Sequence, residues 1–131
     1  MATVSSEIIT TARPEDVWAA IADIGALHTR LVPGFVVDTK LDGDARIVTF
    51  GNGAVVREPI VTCDATAMRL VWTAEGGLTR HYNASVHVFP ELGGSKVVWI
   101  ADFLPDAAKP AISAAIASGM AVMKMTLDRM G

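Results

Sequence analysis

From residue 105 to residue 131, Ile112, Ile116, Met120, Met123, Leu127 and Met130 recur at intervals of three, four and seven. At about 100° per residue these side chains fall within one narrow stripe, which predicts a long amphipathic helix at the end of the chain. Upstream the pattern changes to period two, the signature of strands. Strands are predicted over residues 3–10, 35–41, 45–51, 54–63, 67–74, 79–89 and 95–104. The breaks between them carry turn residues: Asp42-Gly43, Asn52-Gly53, Asp64-Ala65-Thr66, Glu75-Gly76-Gly77 and Leu92-Gly93-Gly94. After the first strand, Arg13-Pro14-Glu15-Asp16 starts a helix to about Ala22, with proline in its first turn and acids at the positive end of its dipole. A second short helix, residues 25–31, closes against Pro33-Gly34. The prediction is an α+β protein: a seven-stranded antiparallel sheet beneath one long helix, with two short helices after strand 1.

Strand alternation also assigns faces. Tyr82, Ala84, Val86 and Val88 share one face, opposite His81, Asn83, Ser85 and His87. Met68, Leu70 and Trp72 likewise oppose Arg69, Val71 and Thr73. On the last strand Val97, Trp99, Ala101 and Phe103 oppose Val98, Ile100, Asp102 and Leu104, and both sets are apolar, so the pattern leaves open which one lines a cavity. Trp72, Tyr82, Val86, Trp99 and Phe103 together form a candidate ligand-binding wall facing Ile116, Met120 and Met123 of the helix. Unbranched thioethers fit irregular gaps and variable apolar ligands alike. A methionine stripe is more often plain core than ligand wall, and both readings stand here.

At 131 residues the chain has room for one domain, residues 1–131, able to bury a core without disulfides or metal. Its net charge of −3 and eleven scattered Lys and Arg residues argue against a nucleic-acid partner, which needs a concentrated cationic surface. Charges interrupt the apolar runs before they reach bilayer length, and no signal-peptide pattern precedes Arg13. Integral membrane association is not expected. The one cysteine, Cys63, has neither a second thiol nor a histidine pair at zinc spacing, so no metal and no cofactor is expected and the reading is cytoplasmic.

Several stretches carry a resemblance. They are Gly53-Ala54-Val55-Val56-Arg57-Glu58-Pro59-Ile60 with Asp64 and Arg69-Leu70-Val71-Trp72, then Tyr82-x-Ala84-x-Val86-x-Val88 leading to Trp99-x-x-Asp102-Phe103-x-Pro105. With the opening Pro14-Glu15-Asp16-Val17-Trp18 and Asp23, the chain resembles the START-like (SRPBCC) superfamily, in particular its polyketide cyclase/dehydrase and lipid-transport branch. The resemblance spans essentially the whole chain. It implies a helix-grip fold, a curved antiparallel sheet wrapped around the C-terminal helix, and a single START-like ligand-binding domain. Relatives commonly place tryptophan two residues before the proline after the second helix; Leu31 stands there in this chain, which implies a wider or differently shaped mouth.

Candidate chemistry is sparse. Glu58, turned into an apolar cavity, would carry a raised pKa suited to proton transfer; the alternative is a surface ion pair with Arg57, Arg69 or Arg80. Tyr82 offers a hydroxyl to a ligand, or else is a core tyrosine bonded to backbone. His28, with Leu27 and Leu31 on the second short helix, stands at the expected entrance or simply in solvent. His81 and His87 share a face but lie roughly 20 Å apart at ~3.3 Å per residue, too far to share a metal. Asp102 faces outward, and Cys63 has no base to activate it. Two functions remain in view: a carrier or sensor that binds a hydrophobic or aromatic, lipid- or polyketide-like small molecule, and a cyclase or dehydratase using the same cavity with Glu58, Tyr82 or His28. A monomer is expected, or a weak homodimer through an edge strand or the helix surface with Val122 and Met125.

Overall fold

In the computed structural model, which describes residues 1–131, β1 (Ala2–Thr10) leads into α1 (Pro14–Ala22), and β2 (Val36–Asp42), β3 (Ala45–Phe50), β4 (Val55–Asp64), β5 (Arg69–Thr73), β6 (His81–Glu91) and β7 (Gly94–Leu104) follow before α2 (Lys109–Asp128). All seven strands join one sheet in the order β1-β7-β6-β5-β4-β3-β2, every pairing antiparallel. The α+β helix-grip architecture is therefore present. The chain's first strand sits beside its last, and β1 and β2 form the two edges.

Local sequence explains most boundaries. Pro14 occupies the first turn of α1 and Arg13 reaches forward to Glu15 and Asp16, while Val17, Trp18, Ala20 and Ile21 turn inward. Register shifts in β2 between Val36 and Asp38 and in β4 between Ile60 and Thr62 insert one extra residue each, the local device by which a strand bends. Two expectations need adjusting. The short helix predicted over 25–31 is a 3₁₀ turn, Ile24–Ala26, followed by a π turn, Leu27–Leu31. β5 begins at Arg69 rather than Ala67 because Met68 adopts a left-handed conformation (φ 53°) that ends the turn before it.

The C-terminal end of α2 is fastened to the end of β1. The Thr10 hydroxyl donates to Asp128 Oδ1 at 2.7 Å, and Lys124 Nζ donates to the Ile9 carbonyl at 2.7 Å. Beneath them the buried Ser95 hydroxyl donates to the Ala12 carbonyl at 2.7 Å. Here β7 passes so close to β1 that a Cβ on Gly94 would stand 2.0 Å from the Thr10 carbonyl oxygen and 2.9 Å from Thr11 Cα. α2 packs chiefly along β1. Ile116, Met120, Met123 and Leu127 are buried along its predicted stripe, and Ile112 is half-buried. Met130 is not part of that stripe: the helix ends at Asp128, and Met130 is 42% exposed. The stretch Asp106–Asp128 is also, at 23 residues, long and apolar enough by composition to cross a membrane, so charges interrupt the apolar runs less tightly than expected. In this fold its apolar stripe faces the sheet.

Neither backbone contact at Gly94 can yield by a side-chain rotation. Gly94→Ala should therefore lower stability by at least the about 1–3 kcal/mol typical of overpacking, read as a fall in the chemical-denaturation midpoint. A wild-type midpoint would show that the two strands separate freely here.

Candidate functional site

Away from that fastened end, α2 and the sheet enclose a cavity of about 650 Å³, and 21 of its 30 lining residues are hydrophobic. Strands β3 to β6 contribute residues from one face, as the pleat requires, and β1 contributes none. β3 supplies Arg46 and Phe50, and β4 supplies Val56 and Glu58. Leu70 and Trp72 come from β5, Tyr82 and Val86 from β6, and Trp99 from β7. Ile112, Ile116 and Met123 face them from α2. The loops at Asn52 and at Gly76 to Thr79 border the same space, with Leu78 68% exposed.

Of the twelve residues proposed from sequence, Leu27, Leu31, Glu58, Trp72 and Tyr82 line this space, as do Val86, Trp99, Ile116 and Met123. The other three lie elsewhere. His28 sits on the π turn, where its Nδ1 pairs with the Thr39 hydroxyl at 3.0 Å. Phe103 is fully buried behind Tyr82, stacked on it with ring centroids 6.4 Å apart. Met120 is buried in the core beside the cavity. The open question about the last strand resolves in favour of Trp99: Val97, Ala101 and Phe103 are all buried on the same inward face. On the outward face Asp102 accepts a hydrogen bond from Thr3, and His87 packs against Phe89.

The surface ion pair considered for Glu58 does not exist. Arg57, the next residue along β4, points to the opposite face and pairs with Asp42 at 2.9 Å and Glu75 at 3.2 Å. Arg69 and Arg80 are exposed. Glu58 instead faces inward and accepts a hydrogen bond from Arg46 Nε at 2.9 Å; the Arg46 and Glu58 side chains are 3% and 9% exposed. Sequence reasoning missed Arg46. The signal was there: Arg46-x-Val48-x-Phe50 puts arginine on the apolar face of β3, and residues 46 and 58 are direct partners in register. The guanidinium also lies 5.6 Å from the Trp72 ring centroid, a cation–π arrangement that helps hold a charge away from water.

Burial pushes the Glu58 carboxyl up from its ordinary range, and the charge and hydrogen bond of Arg46 pull it only part of the way back. The Tyr82 phenol is likewise pushed up, first by burial and then by the nearby Glu58 charge. The indole N–H of Trp72 bears on Glu58 and that of Trp99 on Tyr82, in both cases drawing the pKa down. Neither reaches full hydrogen-bond geometry, so both buried indole nitrogens are without a partner. Arg46, Glu58, Trp72, Tyr82 and Trp99 thus form one polar group on an otherwise apolar wall.

This arrangement, an open antiparallel sheet curled over a helix with a largely apolar interior, defines a helix-grip protein with a ligand-sized cavity. The chain belongs to the family described as polyketide cyclase / dehydrase and lipid transport, which it matches over residues 1–130. Solved structures of the same fold include the protein XoxI from Bacillus cereus, with a TM-score of 0.86 at 17% identity over 97% of this chain and 96% of that one. A protein from Thermobifida fusca gives 0.80 at 27% identity, covering 99% and 95% of the two chains. The di-domain ARO/CYC protein BexL gives 0.83 at 14% identity, over 98% of this chain and 47% of its own. No curated protein matches the chain.

Tyr82 is the only tyrosine in the sequence, which makes its ionisation directly observable. An ordinary phenol titrates near pH ~10. Because the folded state raises that value, the stability this group contributes is fully present below pH ~10 and is lost as pH rises from there toward the folded pKa. Phenolate absorbance in the native protein should stay flat through the range where the denatured chain titrates. A native titration curve overlapping the denatured one would place Tyr82 in open water.

Proposed function

We propose that this chain is a single ligand-binding domain that takes up a hydrophobic or aromatic small molecule, lipid- or polyketide-like, in its internal cavity and acts as a carrier or sensor. The observation that carries this reading is the cavity itself. About 650 Å³ lies within the ~300–1,000 Å³ typical of small-molecule sites, and its walls have the expected character, mostly apolar with a few polar groups gathered at one place. A compound selective for the folded state raises its stability by RT ln(1 + [L]/Kd), about 2.7 kcal/mol at a hundredfold excess over Kd. A panel of long-chain and polycyclic compounds should therefore include members that raise the melting temperature by several degrees. Native mass spectrometry of freshly purified protein would identify any molecule already held. A panel without a single stabilising compound, together with a bare mass, would remove this reading.

Glu58 supports a second reading. A carboxyl with a raised pKa, beside Tyr82 in an apolar chamber, has the character of a general acid or base. A cyclase or dehydratase would use the chamber to fold a reactive chain and these groups to move protons. BexL, of the same fold, is a di-domain ARO/CYC protein. Under this reading Glu58→Gln, which keeps an oxygen to accept the Arg46 hydrogen bond, should abolish turnover of an identified substrate while leaving its affinity within a few-fold of wild type. Full activity in that variant would end the catalytic role of Glu58.

A further inference from the structure

An arginine inside a greasy chamber is the natural docking point for a carboxylate, and its presence alone would point to fatty acids or other anionic amphiphiles. Here that charge is already taken. Arg46 Nε donates to Glu58 Oε1 at 2.9 Å, both side chains are more than nine-tenths buried, and both residues line the cavity. The opposite charges sum to zero where a ligand would meet them. A carboxylate entering beside the pair would add an uncompensated negative charge in a low-dielectric space and lie next to the Glu58 carboxylate, a desolvation cost with no free counterion to offset it. An uncharged hydroxyl or carbonyl avoids that cost. It can use the Tyr82 hydroxyl, which hydrogen-bonds to no protein atom, and the Glu58 oxygen not engaged by Arg46.

We propose that Glu58 determines ligand specificity: by cancelling Arg46 inside the cavity, it makes the site take uncharged, oxygen-bearing amphiphiles and reject carboxylates. This rests on the ligand-binding reading above and adds a charge rule to it. Glu58 is, in this role, a counterion built into the wall. Removing its charge while keeping its shape uncovers the guanidinium and converts a neutral-selective site into an anion-binding one.

The probes are 9-anthracenemethanol and 9-anthracenecarboxylate, which share a ring system and differ in charge, titrated near neutral pH and followed by energy transfer from tryptophan, since Trp72 and Trp99 both line the cavity. Wild type should bind the alcohol at least tenfold more tightly than the carboxylate. Because any apolar cavity favours an uncharged guest to some degree, the decisive measurement is the change on Glu58→Gln: the ratio of carboxylate to alcohol affinity should rise tenfold or more, with the carboxylate itself binding more tightly than it does to wild type. The mirror variant Arg46→Gln should leave the carboxylate excluded and gain affinity for 9-aminomethylanthracene, whose ammonium then faces an uncovered Glu58. If either variant is too unstable to titrate, its melting temperature with each probe reads the same preference through ligand-linked stabilisation. Wild type binding the carboxylate as tightly as the alcohol, or an unchanged preference in Glu58→Gln, overturns the charge rule and leaves the ligand-binding reading standing. Failure of every protein to bind any of the three probes overturns both.

Discussion

The fold depends on where its long helix is fastened. Thr10, Lys124 and Asp128 bind the last turns of α2 to the end of β1, Ser95 ties β7 to Ala12, and the absence of a Cβ at Gly94 lets the two strands close to contact distance. Each bond alone contributes about 1 kcal/mol. Their effect is geometric as much as energetic, because they gather at one end of the molecule. α2 is thereby held along β1, and its first turns extend over strands it does not fully touch. The cavity is the space between the sheet and the part of α2 that lies beyond these ties.

Within that space the polar group has a cost. Two charges removed from water lose several kcal/mol of solvation apiece, and their mutual attraction repays this only in good geometry with further hydrogen bonds. Arg46 makes one good bond to Glu58, a long one to the Ile24 carbonyl at 3.5 Å, and a cation–π contact with Trp72. Two indole nitrogens nearby have no partner at all. An apolar set of similar volume would fill the same wall with less strain on solvation. Stability does not explain this cluster, which is the physical ground for the recognition role proposed above; the chain's family is described as polyketide cyclase / dehydrase and lipid transport.

The order of elements, the antiparallel sheet and the inward faces of β5 and β6 were legible from period alone, because each rests on a local repeat, whereas β7 is apolar on both faces and only the structure turns Trp99 inward. What period cannot give is depth. Trp99 and Phe103 share a face of β7, yet Trp99 borders the cavity and Phe103 lies fully buried against Tyr82, which takes the cavity position beside it. Nor does a face name its partner. Glu58 was legible as a candidate, but its neighbours in sequence drew attention to Arg57, which alternation sends outward, while Arg46 twelve residues earlier was its partner in the ladder. His28 stood on the right element, but its Nδ1 pairs with Thr39 and it does not border the cavity, whereas Leu27 and Leu31 of the same turn do.

The helix stripe shows how the cavity is divided from the core. At about 100° per residue, Ile112, Ile116 and Met123 lie on one side of the stripe, while Met120 and Leu127 lie on the other. The first three border the open space, and the second two are buried in the core without bordering it. Beside Ile112, at the cavity edge of the stripe, Gly119 brings the helix backbone so near the rings that an added Cβ would stand 3.0 Å from Phe35 and 3.1 Å from Trp99. Ala114, Ala115 and Ser118, also on the cavity border, are too small to reach across. Large rings on the sheet thus face short side chains on the helix. The cavity follows from that asymmetry of size, and the stripe of apolar residues needed to hold the helix in place is narrow enough to leave it open.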